Sequence, residues 1–188
     1  MEILGIAVAS LDGYLTHHDE PGSSFASDED QAHFRSTVAS CDAAIMGRAT
    51  FDGEREHILG APDVGRVRLV LTRSPGEYRE LERPGILEFT SASPAELAAD
   101  LARRGVRRVA LLGGGRVYAL FADAGLVSRW LVTVEPALFG GGTRLLEGQT
   151  DRRLELVSSR RLNDAGTLLL EYRDPDADAT LAALARDA

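Results

Sequence analysis

Six short apolar runs alternate along this chain with segments of helical pattern, and that alternation limits the possible folds more than any other feature. The runs have the length of buried strands, and turn-forming residues follow most of them. They span residues 3–9, 43–46, 67–71, 86–89, 109–112 and 129–135. Strands that alternate with helices assemble into a mostly parallel sheet with helices on both faces. Residues 154–160 and 167–172 have the pattern of a terminal antiparallel hairpin, so we predict an α/β fold whose sheet has about eight strands.

Capping residues indicate where the helices begin. Ser27 precedes a helix that ends near residue 39, and residues 93–96 combine a capping serine, a proline in the first turn and a glutamate at the third position. Shorter helices are predicted from Thr50 to about His57 and over residues 117–122.

The length and charge of the chain limit its organisation and its partners. The 188 residues suit a single core. We expect one domain over residues 1–173 and, over residues 174–188, an acidic tail that is either loose or a docked helix. The formal net charge is −8 and no basic stripe is visible, so no nucleic acid partner is expected. No apolar stretch reaches about 18 residues, so no membrane partner is expected either.

Residue types exclude two kinds of chemistry and suggest a compartment. All 21 basic residues are arginine, which excludes covalent chemistry on lysine. The histidines His17, His18, His33 and His57 show no metal-ligand spacing beyond the adjacent pair, so we predict no metal. The single cysteine, Cys41, is typical of a protein of the reducing cytoplasm.

The clearest candidate for a binding site is the point where the run at 109–112 continues into Gly113, Gly114 and Gly115. Glycines at the end of a strand let a phosphate approach the backbone, and the following helix offers its unpaired N–H groups and the positive end of its dipole. The pattern is not G-x-G-x-x-G, so the standard Rossmann fingerprint is absent. A glycine-rich turn without a ligand is the alternative.

Two further strand ends carry similar chemistry. Gly47, Arg48 and Thr50 follow the second run, and Thr72, Arg73 and Ser74 follow the third. Ligands of open α/β sheets bind beyond the carboxyl ends of the strands. The three strand ends together therefore predict a ligand with several phosphates, including a ribose 2′-phosphate that an arginine can pair.

Five stretches, in register from residue 2 to about residue 173, make the chain resemble a known superfamily. They are Ala9-Ser10-Leu11-Asp12-Gly13, Ile45-Met46-Gly47-Arg48-Ala49-Thr50-Phe51, Leu71-Thr72-Arg73-Ser74-Pro75-Gly76, Gly113-Gly114-Gly115-Arg116-Val117-Tyr118 and the segment from Pro136 to Leu145. The sequence resembles the dihydrofolate-reductase-like superfamily, and within it the RibD C-terminal domain, which is the reductase domain of riboflavin biosynthesis. The resemblance implies the three-layer fold of that superfamily and a possible homodimer.

The resemblance also implies NADPH as the cofactor, and it assigns four groups of contact residues. The groups would hold, in order, the phosphates, the 2′-phosphate that favours NADPH over NADH, the pyrophosphate and the nicotinamide. They are Gly47, Arg48 and Thr50; Leu71, Thr72, Arg73 and Ser74; Gly113, Gly114, Gly115, Arg116, Val117 and Tyr118; and Val8, Ala9 and Leu15.

On the substrate side, dihydrofolate reductases carry an acidic residue on the first helix and an aromatic residue one turn later. Asp30 and Phe34 have that spacing, and Glu29 is the neighbouring choice for the acid. Asp30 is alternatively a capping carboxylate of the first helical turn. Thr133 resembles the residue that supports the acid, and it is alternatively an ordinary β-branched strand residue.

Two further residues are substrate-binding candidates with structural alternatives. Arg66 precedes the third strand, as does the arginine that holds the glutamate tail of folate, and is alternatively a loop residue. Asp12 lies in a Leu-Asp-Gly turn, where aspartate is favoured for backbone reasons. Phe25 stands near the place of the Pro-Trp pair of dihydrofolate reductases.

These features predict a reductase that acts on a pyrimidine- or pterin-like heterocycle. Reduction of the riboflavin-pathway type is the first expectation. Dihydrofolate reduction and non-catalytic NADPH binding are the alternatives.

Overall fold

An eight-stranded sheet with strand order β4-β3-β2-β5-β1-β6-β8-β7 organises the computed structural model, which describes residues 1–187. Its strands are β1 Glu2–Ser10, β2 Ala43–Gly47, β3 Val67–Leu71, β4 Leu87–Thr90, β5 Arg108–Leu111, β6 Arg129–Glu135, β7 Glu155–Arg161 and β8 Leu168–Arg173. Within this described part of the chain, β8 alone runs opposite to the other strands, so both of its pairings, with β6 and with β7, are antiparallel. The predicted mostly parallel sheet of about eight strands with an antiparallel C-terminal hairpin is confirmed.

Within residues 1–187, six α-helices and a 3₁₀ helix surround this sheet. They are α1 Asp28–Ala39, α2 Arg48–Gly53, α3 Arg55–Gly60, α4 Pro94–Arg103, α5 Gly115–Asp123, α6 Ala177–Asp187 and the 3₁₀ helix Pro75–Leu81. The predicted helix from Thr50 to His57 is instead divided in two, because Glu54 leaves the helical conformation between α2 and α3. The 3₁₀ helix was not predicted, although proline at its start has the fixed φ that such a turn needs.

The helices lie in two layers, one on each face of the sheet. Helices α4, α5 and α6 share one apolar cluster with the strands, while α1 packs with a second cluster on the other face. Leu181 of α6 is only 1% exposed, and α6 packs against α4. The predicted C-terminal tail is thus largely a docked helix that contributes to the core.

Because β1 to β6 run in parallel, their carboxyl ends meet at one edge of the sheet, which we call the C-terminal edge. Ser10, Gly47, Leu71, Leu111 and Glu135 end strands there. Helix α1 begins near this edge and ends at the opposite one. Residues at the two ends of α1 therefore serve different regions of the molecule.

At the far end of α1 lies the single cysteine. Cys41 is 5% exposed, and its thiol donates a weak hydrogen bond to the carbonyl oxygen of Thr37 at 3.4 Å. Burial raises the pKa of the Cys41 thiol, so the reactive thiolate is disfavoured. Within residues 1–187, no helix combines the length and the apolar character that a membrane span requires.

Candidate active site

The three glycines after β5 form a loop that packs closely on the end of β2. The backbone N–H of Gly47 donates to the carbonyl oxygen of Gly113 at 2.7 Å. Gly113 has φ of +82°, and a Cβ there would lie 2.5 Å from the ring of Tyr118. A Cβ on Gly47 would lie 3.0 Å from Val117. Only glycine therefore fits this approach without displacing its neighbours.

The N-terminus of α5 opens directly from this loop. Gly114 is the N-cap and supplies no side chain to the first-turn N–H groups. Thr50 of α2 faces it, since its hydroxyl oxygen lies 3.6 Å from the place where a Cβ of Gly114 would be. Arg116 is exposed in the first turn of α5. These groups form a cradle that can hold an anion such as a pyrophosphate.

Val117 and Tyr118 shape this cradle from beneath. Both side chains are buried, and the hydroxyl of Tyr118 donates to the carbonyl oxygen of Ile6 on β1. Burial raises the pKa of Tyr118 far above its ordinary value. The structure places both side chains in the core, so each can meet a ligand only through its backbone.

The end of β3 forms a second polar turn. The hydroxyl oxygen of Thr72 accepts from the backbone N–H of Ser74 at 3.2 Å, and Thr72 is itself anchored to Thr90 of β4. Arg73 projects from this turn as an exposed side chain, and none of the ion pairs among the described residues includes it. Arg73 is thus free to pair with a ligand phosphate.

Arg48 differs from Arg73 in that it already has a partner. Its guanidinium donates to the Asp52 carboxylate at 2.7 Å, one turn along α2. A hydrogen bond with Tyr78 and the pairing with Asp52 raise the pKa of Arg48. Arg48 is exposed, so it can reach a phosphate only by sharing or leaving Asp52.

Asp30 is a buried acid that does not act as a helix cap. The Ser27 side chain caps α1 by accepting from the backbone N–H of Asp30 at 3.3 Å, but the Asp30 carboxyl lies inside the protein, 6% exposed, and bonds the hydroxyl of Thr133. Helix α4 shows the contrast, because there Glu96 returns its carboxylate to the backbone N–H of Ser93 at 2.8 Å. The carboxyl of Asp30 is therefore not used to cap α1 and can interact with groups in the protein interior.

The protonation of Asp30 is set by its surroundings. Burial is the main cause that raises the pKa of Asp30, and the negative charge of Glu135 raises it further. The Thr133 hydroxyl and the nearby His33 act in the opposite direction without reversing the result. The carboxyl is thus biased towards its neutral form, in which it can donate a hydrogen bond.

Glu135, at the end of β6, was missed by the sequence analysis. Its carboxylate is 5% exposed, accepts from the backbone N–H of Ser27 at 2.8 Å and accepts from the Thr167 hydroxyl at 2.6 Å. A glutamate that closes an otherwise alternating strand is the feature that could have drawn attention to it.

The remaining side chains of α1 and its loops complete the surroundings of Asp30. His33 lies one turn after Asp30, and its buried Nε2 has no hydrogen-bond partner among residues 1–187. Phe34 is exposed at the rim. Phe25, before α1, meets the ring of Phe139, after β6, edge to face at a centroid distance of 4.8 Å.

Three residues of β1 and its loop lie between the cradle and Asp30. Val8 is the register partner of Thr133, so the two side chains stand next to each other on neighbouring strands. Ala9 is buried, and Leu15 is held by a 2.7 Å backbone bond to Thr143 and packs on the core. The end of β1 thus lies between Asp30 and the glycine loop after β5.

The two other substrate-binding candidates are both held by contacts within the protein. Both carboxylate oxygens of Asp12 are engaged, with the Ser10 hydroxyl at 2.6 Å and the Gly140 N–H at 2.7 Å, and these bonds lower the pKa of Asp12 to about 2. Asp12 thereby ties the loop after β1 to the loop after β6. Arg66 lies at the opposite edge of the sheet, where it donates to the carbonyl oxygen of Cys41 at 2.9 Å.

Among the described residues, no group of three or more histidine, cysteine, aspartate or glutamate side chains is arranged to hold a metal ion.

Comparison with known proteins places this site in a family context. The RibD C-terminal domain model matches residues 3–168 of the chain. No curated protein sequence matches it significantly.

Several solved structures share the fold. A pyrimidine reductase-like protein from Corynebacterium diphtheriae matches with a TM-score of 0.72 and 19% identity, covering 92% of this chain and 91% of that one. The diaminohydroxyphosphoribosylaminopyrimidine deaminase/5-amino-6-(5-phosphoribosylamino)uracil reductase from Thermotoga maritima matches with a TM-score of 0.73 and 16% identity, over 92% of this chain and 56% of that one. Dihydrofolate reductase from Enterococcus faecalis, solved with NADP(H), matches with a TM-score of 0.68 and 20% identity, over 93% and 97%.

Proposed function

The chain belongs to the RibD C-terminal domain family, as its sequence predicted, and on that premise we propose that it is a reductase that transfers a hydride from NADPH to a pyrimidine- or pterin-like heterocycle. The observation that carries this proposal is the buried carboxyl of Asp30. It bonds Thr133, whose strand neighbour Val8 lies at the same C-terminal edge as the glycine cradle. A buried acid and a phosphate cradle thus face one edge of the sheet.

The cradle suits a dinucleotide because it combines close glycine backbone with an uncapped helix start. Gly114, Gly115 and Thr50 would hold the pyrophosphate, and Arg73 with Ser74 would hold the ribose 2′-phosphate that distinguishes NADPH. When bound, NADPH supplies the hydride. Val8, Ala9 and Leu15 would hold the nicotinamide and keep water from it.

The chain's own contribution to the chemistry lies on the acid side. Reduction of a C=N bond needs a proton as well as a hydride. Burial raises the pKa of Asp30, and in its neutral form the carboxyl, fixed by Thr133, would donate a hydrogen bond to a ring oxygen or nitrogen of the heterocycle. The rings of Phe25, Phe34 and Phe139 would supply an apolar wall that positions a flat substrate.

Within this class we propose the riboflavin type, reduction of 5-amino-6-(5-phosphoribosylamino)uracil. Membership of the family and the activity named for the Thermotoga maritima protein support it. Dihydrofolate reduction is the second candidate, favoured by the placement of Asp30 and Phe34 one turn apart on α1. Arg66, which contacts Cys41 just beyond the far end of that helix, could meet only the distant end of an elongated substrate.

A binding and turnover assay tests the proposal. NADPH is titrated while its fluorescence is followed, and its oxidation is then measured with the phosphoribosylaminouracil and with dihydrofolate. Turnover with the first compound supports the riboflavin type, and turnover with only the second favours dihydrofolate reduction. Tight binding without turnover of either compound would identify a non-catalytic NADPH-binding protein. Absence of NADPH binding would refute the proposal entirely.

A further inference from the structure

The start of α1 is capped by two residues that are distant in sequence. In a capping box, a carboxylate three residues after the N-cap accepts from the N-cap backbone N–H. Helix α4 has this arrangement in full, with Ser93 and Glu96. In α1 the corresponding position is Asp30, yet the N–H of Ser27 is bonded by Glu135 of β6 instead.

Because Glu135 takes this capping role in place of Asp30, both acids are buried at contacts between α1 and β6. Thr133 and Glu135 are two residues apart on β6, so their side chains share a face of the sheet. The carboxyl of Asp30 is hydrogen-bonded to Thr133, and the backbone N–H of Ser27 donates to Glu135. Both Asp30 and Glu135 are more than nine-tenths buried. Two buried acids that face each other disfavour being charged together, and the negative charge of Glu135 accordingly helps to raise the pKa of Asp30.

The two acids differ in the number of hydrogen-bond donors that they face. Glu135 accepts from two donors, the Ser27 N–H and the Thr167 hydroxyl, which stabilise a carboxylate. Among residues 1–187, the side-chain donor to Asp30 is the Thr133 hydroxyl. The proton is therefore better placed on Asp30.

Charged and titratable groups on the neighbouring elements do not change this assignment. On α1, His33 has its pKa lowered by burial and by Arg160 of β7, so it favours the neutral form. On β8, Glu171 is paired with Arg129 of β6. Asp28 and Glu29 of α1 are exposed to solvent, which screens their charge.

We propose that Glu135 is a positioning residue that releases Asp30 from capping α1 and keeps the proton on it, so that the pocket presents a hydrogen-bond donor to its substrate. The site then favours an uncharged heterocycle that offers a carbonyl oxygen or imine nitrogen, and it disfavours an amidinium cation, which would need a carboxylate. This inference rests on the proposed function for its substrate, whereas the role of Glu135 in the free protein does not depend on it.

The test compares Glu135→Gln with Asp28→Asn. Glutamine keeps the shape, can still accept from Ser27 and can donate to Thr167, but it lacks the charge. Asp28→Asn removes an equal charge from the exposed side of the same helical turn. The titration of the Asp30 carboxyl carbon is followed by NMR, with Asp30→Asn used to assign its resonance.

We expect Glu135→Gln to move the Asp30 midpoint to lower pH by about one pH unit or more, and Asp28→Asn to leave it nearly unchanged. Thr167→Val, which removes one donor from Glu135, should move the midpoint in the same direction and serves if Glu135→Gln does not fold. An unchanged or higher midpoint in the folded variant overturns the proposal, as does a wild-type midpoint at or below the ordinary aspartate value.

A pH profile separates this role from a structural one. With saturating NADPH, the alkaline limb of kcat/KM should move to lower pH in Glu135→Gln. A rate that falls without any movement of the limb would contradict the proposal. If no heterocycle is reduced at all, the proposed function fails, but the Asp30 titration still decides the role of Glu135 because it needs neither cofactor nor substrate.

Discussion

At the scale of single residues, this site depends on which polar groups already have partners. Arg48 is paired with Asp52, and Asp12 is held by Ser10 and Gly140. Arg73 is exposed and unpaired among the described residues. Residue type alone does not distinguish these cases, because all three are charged side chains at the ends of strands.

Arg73→Ala should weaken NADPH binding by about tenfold or more, because a hydrogen-bonded charge on the 2′-phosphate would be lost. Binding of NADH, which lacks that phosphate, should change little. Both affinities are measured by fluorescence titration. Arg107→Ala, which removes an exposed arginine at the opposite edge of the sheet, is the matched control. Equal losses for the two cofactors would refute the assigned role of Arg73.

Asp30 should also make stability depend on pH in an unusual direction. The pKa of Asp30 is raised in the folded state. The stabilisation that its proton provides is therefore complete at a pH below the pKa of an aspartate in the unfolded chain, and it is lost as the pH rises through the pKa of Asp30 in the folded protein. The free energy of unfolding of the wild type minus that of Asp30→Asn should therefore fall across this window, with a slope of at most about 1.4 kcal/mol per pH unit.

Urea unfolding at several pH values measures this difference. Asp12→Asn provides a comparison of opposite sign, because the pKa of Asp12 is lowered to about 2. The stability that Asp12 provides is present above the ordinary value of 3.8 and is lost as the pH falls towards 2. A difference for Asp30→Asn that rises with pH would contradict the buried-acid description.

At the scale of elements, the sequence was informative wherever local pattern and burial agree. The parallel strands, the capped start of α4 and the glycine run were predicted because apolar runs, capping residues and glycines act locally. Local pattern marks Glu135 only as a glutamate at a strand end, because the importance of Glu135 and Phe139 comes from contacts with Ser27 and Phe25 more than a hundred residues away. Likewise, the sequence is compatible with two roles for Asp30, a helix-capping carboxylate and a buried acid of the site. Only the position of its side chain distinguishes them.

Gly115→Ala should disrupt the start of α5. A Cβ there would lie 2.1 Å from the carbonyl oxygen of Arg144, a backbone atom that cannot move without its loop. We expect a loss of about 1–3 kcal/mol in stability and weaker NADPH binding. Gly60→Ala is the control, because a Cβ at that position in α3 meets nothing within 4 Å. Chemical denaturation and cofactor titration decide, and equal behaviour of the two variants would contradict the prediction.

At the scale of the whole molecule, β7 is an edge strand whose residues are all exposed. Leu156 and Val157 are exposed apolar side chains on it, although unpaired apolar edges are usually protected. The strand begins with Glu155 and ends with Arg160 and Arg161, so two copies paired in antiparallel fashion would bring opposite charges together. The edge of β7 is therefore a suitable surface for the homodimer expected from the sequence. The homodimer and the cytoplasmic location both stay predictions.

Light scattering across a range of concentrations tests the dimer. The wild type should show twice the mass of one chain, and Leu156→Asp should shift it towards the monomer by placing a charge in the apolar part of the interface. Val64→Asp changes an apolar residue that is equally exposed but lies in the loop before β3, so it should remain dimeric. A wild type that is monomeric throughout would refute the prediction.

The burial of Cys41 has a practical consequence. It is the only cysteine, and it follows the end of α1 whose other end carries Asp30. A thiol reagent can modify Cys41 only when this region detaches from the sheet. The labelling rate of the unaltered protein therefore measures how often the region opens locally. Ligands that hold α1 in place should lower the labelling rate of Cys41. Candidate substrates could then be screened without any knowledge of the reaction they undergo.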